Sequence, residues 1–202
     1  MNERIHELRQ RISQLQNELE EEFEQRRATF RYHLEARKVR FEQQVIETHR
    51  QLKTSLWRFI IHARLRDLAL APVIYAMLLP LLLLDLMLFL YQAIYFRAYA
   101  IPRAKRSDYI VIDRHQLAYL NAIEKLNCIY CGYANGLFAL AREVAARTER
   151  HWCPIKHAQR IKDPHSQYPH FFDYGDGENY RQQRTKLRQR MAQPEDPERP
   201  PW

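Results

Sequence analysis

Apolar residues in the first third of the chain recur at a spacing typical of a helix. Pairs of apolar residues four positions apart repeat every eleven residues, and this period of 3.67 residues per turn keeps one stripe in register. No glycine or proline occurs in residues 1–71. The pattern therefore predicts a long, coiled-coil-like helix over residues 1–66 that binds a second copy of the chain; a solvated helix without a partner is the alternative. The pairs are Leu8 and Ile12, Leu19 and Phe23, Phe30 and Leu34, Phe41 and Val45, and Leu52 and Leu56.

A second zone, residues 67–98, is apolar enough to form a membrane segment. Between Leu68 and Phe96 it holds one carboxylate and no basic residue, and about 20 apolar residues suffice for a membrane-spanning helix. Three tyrosines near its end suit the aromatic belt of a membrane interface. Pro80 near the middle would break a helix. A re-entrant hairpin is therefore the alternative to the single crossing that we favour, and a buried helix of a soluble protein is a further alternative.

The one carboxylate in this zone belongs to Asp85. A charge at membrane depth is costly unless it is protonated, paired or kept away from lipid, so Asp85 is a candidate functional residue. Gln92 and Tyr99 follow at intervals of seven, which places all three near one helix face. They predict a polar stripe turned toward a partner helix; a neutral acid that contributes only to packing is an equal alternative.

Basic residues cluster on both sides of the apolar zone. The formal net charge is +8, from 32 Lys and Arg against 24 Asp and Glu, and such clusters attract phosphate. The flanks are matched, so the positive-inside rule does not set the topology. Nucleic-acid binding by the basic tail is the less favoured use of this charge. The residues expected to bind lipid phosphate are Arg97, Arg103, Lys105 and Arg106.

The rest of the chain is predicted to form a small Cys/His domain over residues 99–180 and a basic, proline-rich, disordered tail over residues 181–202. Within the domain we expect a strand over residues 109–112 and a helix from about residue 117 to 126. A turn at Asn135-Gly136 and a second helix from Leu137 to Arg150 follow. The fold class is therefore mainly α, with a long N-terminal helix, one membrane segment and a small metal-stabilised domain.

The three cysteines and one histidine predict a metal site. Cys128, Cys131, Cys153 and His157 make a Cys3His set, which is a common ligand set for structural zinc. We expect Pro154 to start a helix, with Cys153 as its cap, and the helix before it to let the two halves fold back on each other. Zinc is thus the predicted cofactor; reversible thiol chemistry and ordinary core cysteines are the alternatives.

The pieces "NCIYCGYANG" and "RTERHWCPIKHA" are the most distinctive in the chain. Over roughly residues 70–180 the sequence resembles a group of bacterial membrane proteins that carry this Cys-x2-Cys and Cys-Pro-x2-His segment. The resemblance implies a bacterial membrane protein and transfers no activity and no catalytic residue. The long N-terminal helix lies outside it.

Together these patterns predict a membrane-anchored, oligomerising scaffold or adaptor with a structural zinc site. The first twenty residues are too charged to be a secretory signal, so the N-terminus is expected in the cytosol. We expect a bacterial inner-membrane location, with the Cys/His domain on the cytoplasmic side, and partners among lipids, a second copy and possible other proteins. A membrane-linked thiol-redox or metal-handling protein is the alternative. Catalysis is not favoured, because no spacing recommends the spare acid-base groups Asp113, His115 and His151.

Overall fold

The chain is mainly helical, as the sequence predicts, in a computed structural model that describes residues 3–30, 32–35, 38–41 and 43–192. It divides into two compact units, residues 1–62 with 113–126 and residues 63–112 with 127–202. The helices are α1 (Glu3–Thr29), α2 (Gln43–Gln51), α3 (Leu56–Ile61), α4 (Leu65–Ala76), α5 (Leu78–Tyr91), α6 (Arg106–Tyr109), α7 (Ala122–Trp152) and α8 (Gly177–Ala192). The strands are β1 (Tyr32–Glu35) and β2 (Lys38–Phe41), and shorter helical turns occupy Gln92–Phe96, Arg114–Gln116 and Tyr168–His170.

The single long helix expected over residues 1–66 is wrong, because α1 ends at Thr29 and a two-stranded hairpin follows. The strands pair antiparallel with Tyr32 opposite Phe41, and the centroids of these two rings lie 5.4 Å apart. Apolar residues in this stretch stand at alternate positions, at 30, 32 and 34 and again at 39 and 41. That period of two favours strands over a helix.

The apolar stripe of α1 lies on the surface of the first unit. Its residues recur at intervals of three or four and are all exposed, although each is large and hydrophobic. Self-association through this stripe stays a prediction. The exposed residues are Leu8, Ile12, Leu15, Leu19 and Phe23.

The second unit contains one apolar helical segment from Leu65 to Phe96, called the apolar helix below, which is long and apolar enough to span a membrane. Only Met77 separates α4 from α5, and its backbone angles are helical (φ −62°, ψ −13°). The chain therefore does not reverse at Pro80, as a re-entrant hairpin would. The irregularity falls about one turn before Pro80, where a proline ring crowds the carbonyl four residues earlier.

The apolar helix ends in a Schellman motif. The Ile101 N–H donates to the carbonyl of Phe96 (2.8 Å) and the Ala100 N–H to that of Arg97 (3.4 Å), with Ala100 in the left-handed region (φ 54°). The side chains of Phe96 and Ile101 are buried in one cluster, which is the hydrophobic contact expected of this motif. The chain is thereby turned so that the segment after Ile101 returns along α5.

α7 is one helix of 31 residues, where the sequence predicted two helices and a turn. It begins with a capping box: the side-chain oxygen of Asn121 accepts from the N–H of Glu124 (3.0 Å), and the Glu124 carboxylate accepts from the N–H of Asn121 (2.8 Å). The helix therefore starts after Asn121 and not near residue 117. At the expected turn, the Asn135 side chain donates to the carbonyl of Cys131 one turn earlier (2.9 Å), so it caps nothing and the helix continues.

Gly136 is needed for close packing and not for a turn. A Cβ at this position would lie 2.7 Å from both the Ile110 Cα and the Tyr109 carbonyl oxygen, so only glycine admits this segment against α7. The strand predicted over residues 109–112 is wrong, because Tyr109 belongs to α6 and residues 110–112 have no partner strand in the part of the chain that the structure describes. Without a neighbouring strand, the backbone N–H and C=O groups of these residues have no β-ladder partners, so no strand forms.

Two expectations near the C-terminus are also wrong. Pro154 does not start a helix, because its carbonyl accepts from the Phe172 N–H (2.8 Å) and the flanking residues form a short parallel bridge with that segment. The tail expected to be disordered from residue 181 is helical as far as Ala192, within α8. Its Met191 is buried in one apolar cluster with Leu140, and this burial stabilises the helix. Residues 193–202 of the predicted tail lie outside the described residues.

Apolar burial holds the second unit together. One cluster joins the end of the apolar helix to α7 and α8, and another joins the middle of the apolar helix to α7. The packing of the second unit therefore shows apolar clusters and does not show the predicted metal-stabilised domain. The buried members are Phe96, Ile101, Ala104, Leu140, Val144 and Met191 in the first cluster and Leu81, Tyr133 and Leu137 in the second.

Candidate functional site: a polar clamp on the apolar helix

The four predicted zinc ligands are not brought together. Cys128 and Cys131 lie within α7 and Cys153 follows its end, so about 33 Å of helix separates Cys131 from Cys153 at about 1.5 Å per residue. The fourth, His157, is exposed and stacks on Tyr168. A zinc ion needs all its ligands within about 2.3 Å. The expectation assumed that the chain folds back between the two halves, and the unbroken helix prevents this.

Within the described residues, no group of three or more His, Cys, Asp or Glu side chains could hold a metal ion. The three cysteines are free thiols, with Cys131 and Cys153 exposed and Cys128 partly buried. Zinc binding and thiol chemistry stay predictions, and neither has a shared site in this arrangement.

Asp85, the carboxylate of the apolar helix, is paired on both of its oxygens. Its Oδ1 forms an ion pair with Arg106, and its Oδ2 accepts a hydrogen bond from the Tyr133 hydroxyl on α7 (2.9 Å). The guanidinium of Arg106 also lies 5.8 Å from the centre of the Tyr133 ring, within the range of a cation–π contact. We call Asp85, Arg106 and Tyr133 the Asp85 clamp. It joins three segments: α5, α6 and α7.

The pKa values of both donors of the clamp are raised. Burial raises the pKa of Tyr133, and the hydrogen bond to Asp85 and the charge of that carboxylate raise it further. The hydrogen bond to Asp85 likewise raises the pKa of Arg106. Because the side chain of Asp85 is only 15% exposed while that of Arg106 is 52% exposed, the carboxylate is shielded and its partner cation remains at the surface.

Two members of the expected polar stripe turn toward α7: Asp85 contacts Tyr133, and Tyr99 contacts His151 and Trp152. The side-chain oxygen of Gln92 accepts a buried hydrogen bond from the Ala104 N–H (2.8 Å), so Gln92 fixes the segment that returns after the Schellman motif. Tyr99 lies further along and contacts Trp152, with ring centroids 5.6 Å apart. The equal spacing of Asp85, Gln92 and Tyr99 thus serves three different contacts within the second unit.

α7 and the apolar helix run side by side in the same direction. Their contacts follow the same order along both: Tyr130 donates to the carbonyl of Ile74 (3.0 Å), Tyr133 meets Asp85, and the hydroxyls of Tyr91 and Thr148 lie 3.1 Å apart. Sequence reasoning missed Tyr130 and Tyr133. The available signal was their spacing of three, which places both hydroxyls on one face of a helix.

An aromatic cluster closes this helix pair at one end. Tyr91, Tyr95 and Tyr99 pack in series, with successive ring centroids 4.7 and 4.8 Å apart, and Tyr99 contacts both His151 and Trp152. Burial lowers the pKa of His151, and the charge of Arg188 lowers it further. The other spare acid-base groups, Asp113 and His115, belong to the first unit.

The residues predicted to bind lipid phosphate differ in whether their charge is already paired within the protein. Arg97, Arg103 and Lys105 are exposed, although Arg103 also donates to the carbonyl of Ala93 (3.3 Å). Arg106 is held by Asp85, so its charge is used within the protein.

No protein-family model matches this sequence, and neither a curated protein nor a solved structure is significantly similar to it. The resemblance to bacterial membrane proteins therefore stays a prediction, and the function rests on the geometry of the two units.

Proposed function

We propose that this chain is a membrane-anchored scaffold or adaptor. The apolar helix contacts lipid through one face, while its other face is fastened by the Asp85 clamp to α6 and α7. The second unit is thereby held at the membrane as one folded body. No catalytic step is part of this proposal, and it does not depend on zinc.

The observation that supports it is the exposure of the apolar helix. Leu79, Phe89 and Ile94 expose between 65% and 73% of their surface. In the most apolar 18-residue stretch of the helix, only 6% is buried within the protein. An exposed apolar surface of this extent on a soluble protein marks an interaction site. Transfer of such side chains from water into the lipid stabilises the membrane-bound protein by about 25 cal/mol per Å² of apolar surface.

The opposite face of the same helix carries its polar contacts. Leu81, Gln92 and Phe96 are buried within the second unit, and Asp85 lies between them. A helix that points its polar groups at protein and its large apolar groups outward is typical of a membrane protein, where charged groups face the protein interior. Tyr95 and Tyr99, beside the basic residue Arg97, suit the interface with lipid head groups.

The scaffold role includes self-association through α1. Its exposed residues Leu8, Ile12, Leu19 and Phe23 form a stripe that a second copy of the same helix would cover. The first unit would then link copies, while the second unit anchors each of them.

Vesicle flotation tests the anchor. The purified full chain is expected to float with vesicles of neutral phosphatidylcholine at high salt, because apolar contact and not charge holds it. Replacing both Leu79 and Leu83 by lysine should lower vesicle binding at least tenfold, since one lysine near the centre of a membrane helix costs about 2.5–3.5 kcal/mol.

The matched control replaces Leu15 and Leu19 of α1, which are also exposed leucines four residues apart. Leu15→Lys with Leu19→Lys should leave flotation unchanged and lower the size of the complex in detergent. Equal loss of flotation in both variants, or a wild-type chain that stays with the soluble fraction, would contradict the anchor.

A further inference from the structure

A cavity of about 550 Å³ lies in the second unit, and its lining does not include the three residues of the Asp85 clamp. Its walls come from the segment between Pro102 and Tyr109, from one face of α7, and from the loop over residues 164–170. Met191 of α8 also lines it. Four separate stretches of sequence thus meet around one space.

The side chains that line the cavity carry a net positive charge. Five cationic side chains face two carboxylates, Asp108 and Glu143. Glu143 is already engaged, because it accepts from Arg147 (2.7 Å), Ser166 (2.7 Å) and Gln167 (3.2 Å). Its charge is therefore matched within the wall. The cations are Arg103, Lys105, Arg142, Arg147 and Arg150.

The arginines of α7 are held in place before any ligand arrives. Arg147 donates to Glu143 and to the Pro102 carbonyl (both 2.7 Å), and Arg142 pairs with Asp163 (2.8 Å). Fixed side chains lose less conformational entropy on binding, which favours affinity. A guanidinium has five N–H donors, so Arg142 and Arg147 can bind an anion while they keep these partners.

One ring nitrogen of His165, in the cavity wall, lacks a hydrogen-bond partner among the described residues. The Nε2 atom of His165 lies 3.1 Å from the Glu149 carboxylate. Its Nδ1 atom is buried and has no hydrogen-bond partner among the described residues. Nε2 donates to this carboxylate, so in the neutral ring Nδ1 is an acceptor. Buried polar atoms are normally paired, and a hydroxyl group of the ligand would satisfy this one.

We propose that this basic cavity binds a phosphate group. Several guanidinium groups and a lysine around one space match the oxygens of phosphate, which arginine binds in a bidentate manner. The volume exceeds that of one inorganic phosphate, so the ligand is a phosphate carried on a larger molecule. The phosphate of a lipid head group and that of a soluble metabolite offer the same chemistry. The inference is independent of the proposed anchor, because the soluble ligand needs no membrane.

Titration calorimetry of the full chain in detergent tests the site with inorganic phosphate and glycerol 3-phosphate. Saturable binding is expected, and Lys105→Gln with Arg142→Gln should weaken it at least tenfold. The matched control is Arg160→Gln with Lys162→Gln, which removes the same charge from exposed positions outside the cavity and should weaken binding less than twofold. Absence of saturable binding, or equal weakening in both variants, would overturn the proposal.

Two further measurements identify the source of the phosphate and guard against a misfolded variant. Phosphatidylcholine vesicles with added phosphatidic acid should bind the wild type more tightly than the cavity variant if the ligand is a lipid. Tight binding of glycerol 3-phosphate without that gain assigns a soluble ligand. In the wild type, glycerol 3-phosphate should protect Arg142 and Arg147 from phenylglyoxal relative to Arg160. Uniform modification with and without it would again contradict the site.

Discussion

Replacing Gly136 by alanine is expected to lower the free energy of unfolding of the second unit by about 1–2 kcal/mol. The new Cβ would meet the Ile110 Cα and the Tyr109 carbonyl at 2.7 Å, and both are backbone atoms that a rotamer change cannot move. Overpacking of this kind costs about 1–3 kcal/mol, and the gain in helix propensity returns at most about 1 kcal/mol. Denaturant unfolding in detergent measures the change. Gly136→Leu should prevent the segment from docking altogether.

Gly177→Ala is the control for this substitution. Gly177 begins α8, and a Cβ there would meet nothing within 4 Å. Its replacement should change the unfolding free energy by no more than about 0.5 kcal/mol, or stabilise slightly, as surface changes usually do. If Gly136→Ala behaves in the same way, the segment after α6 does not lie against α7.

The Asp85 clamp should show strong coupling in a double-mutant cycle. Asp85→Asn and Arg106→Gln are each expected to destabilise the second unit, and the double variant should lose less than their sum by about 1–2 kcal/mol. The reason is that removal of one partner leaves a shielded charge unpaired, while the partial exposure of Arg106 limits the effect. Tyr133→Phe should cost about 1.5–3 kcal/mol, because it removes a hydrogen bond to a charged group.

The exposed ion pair of Arg66 and Asp67, near the start of the apolar helix, is the control for the coupling between Asp85 and Arg106. Both of its side chains are more than half exposed, so the coupling between Arg66→Gln and Asp67→Asn should be below about 0.5 kcal/mol. Urea or guanidinium unfolding of the four variants of each cycle gives both values. Additive losses at Asp85 and Arg106 would mean that the clamp contributes no joint stabilisation.

The apolar helix was predictable because its signal is local. A run of 29 residues with one charge identifies itself in the sequence, whatever it packs against. The carboxylate of Asp85 was equally visible, but its partners were not. Arg106 is 21 residues away and Tyr133 is 48 residues away, and no periodic pattern connects positions on different helices.

The errors arose where one short pattern has two physical uses. Asn135-Gly136 alone favours a turn. Here the glycine lies within a helix and makes room for the backbone of Tyr109 and Ile110, and the sequence does not show that this segment packs there. Cys-x2-Cys and Cys-Pro-x2-His give a plausible zinc set only if the chain folds back between them. Spacing in sequence does not report whether the intervening residues form one unbroken helix. The alternation before Phe41 was a local signal for strands that the 11-residue pairing obscured.

The most direct test of the anchor is fluorescence quenching along the apolar helix in phosphatidylcholine vesicles. Single cysteines at Leu79, Leu83 and Phe89 would carry a fluorescent label in a chain whose own three cysteines are replaced by serine. A label at Tyr174, which is exposed outside the apolar helix, is the control. We expect spin labels on the lipid chains to quench the first three labels while aqueous iodide does not, and the reverse at Tyr174. Iodide quenching at Leu79, Leu83 and Phe89 equal to that at Tyr174 would contradict a membrane-anchored protein.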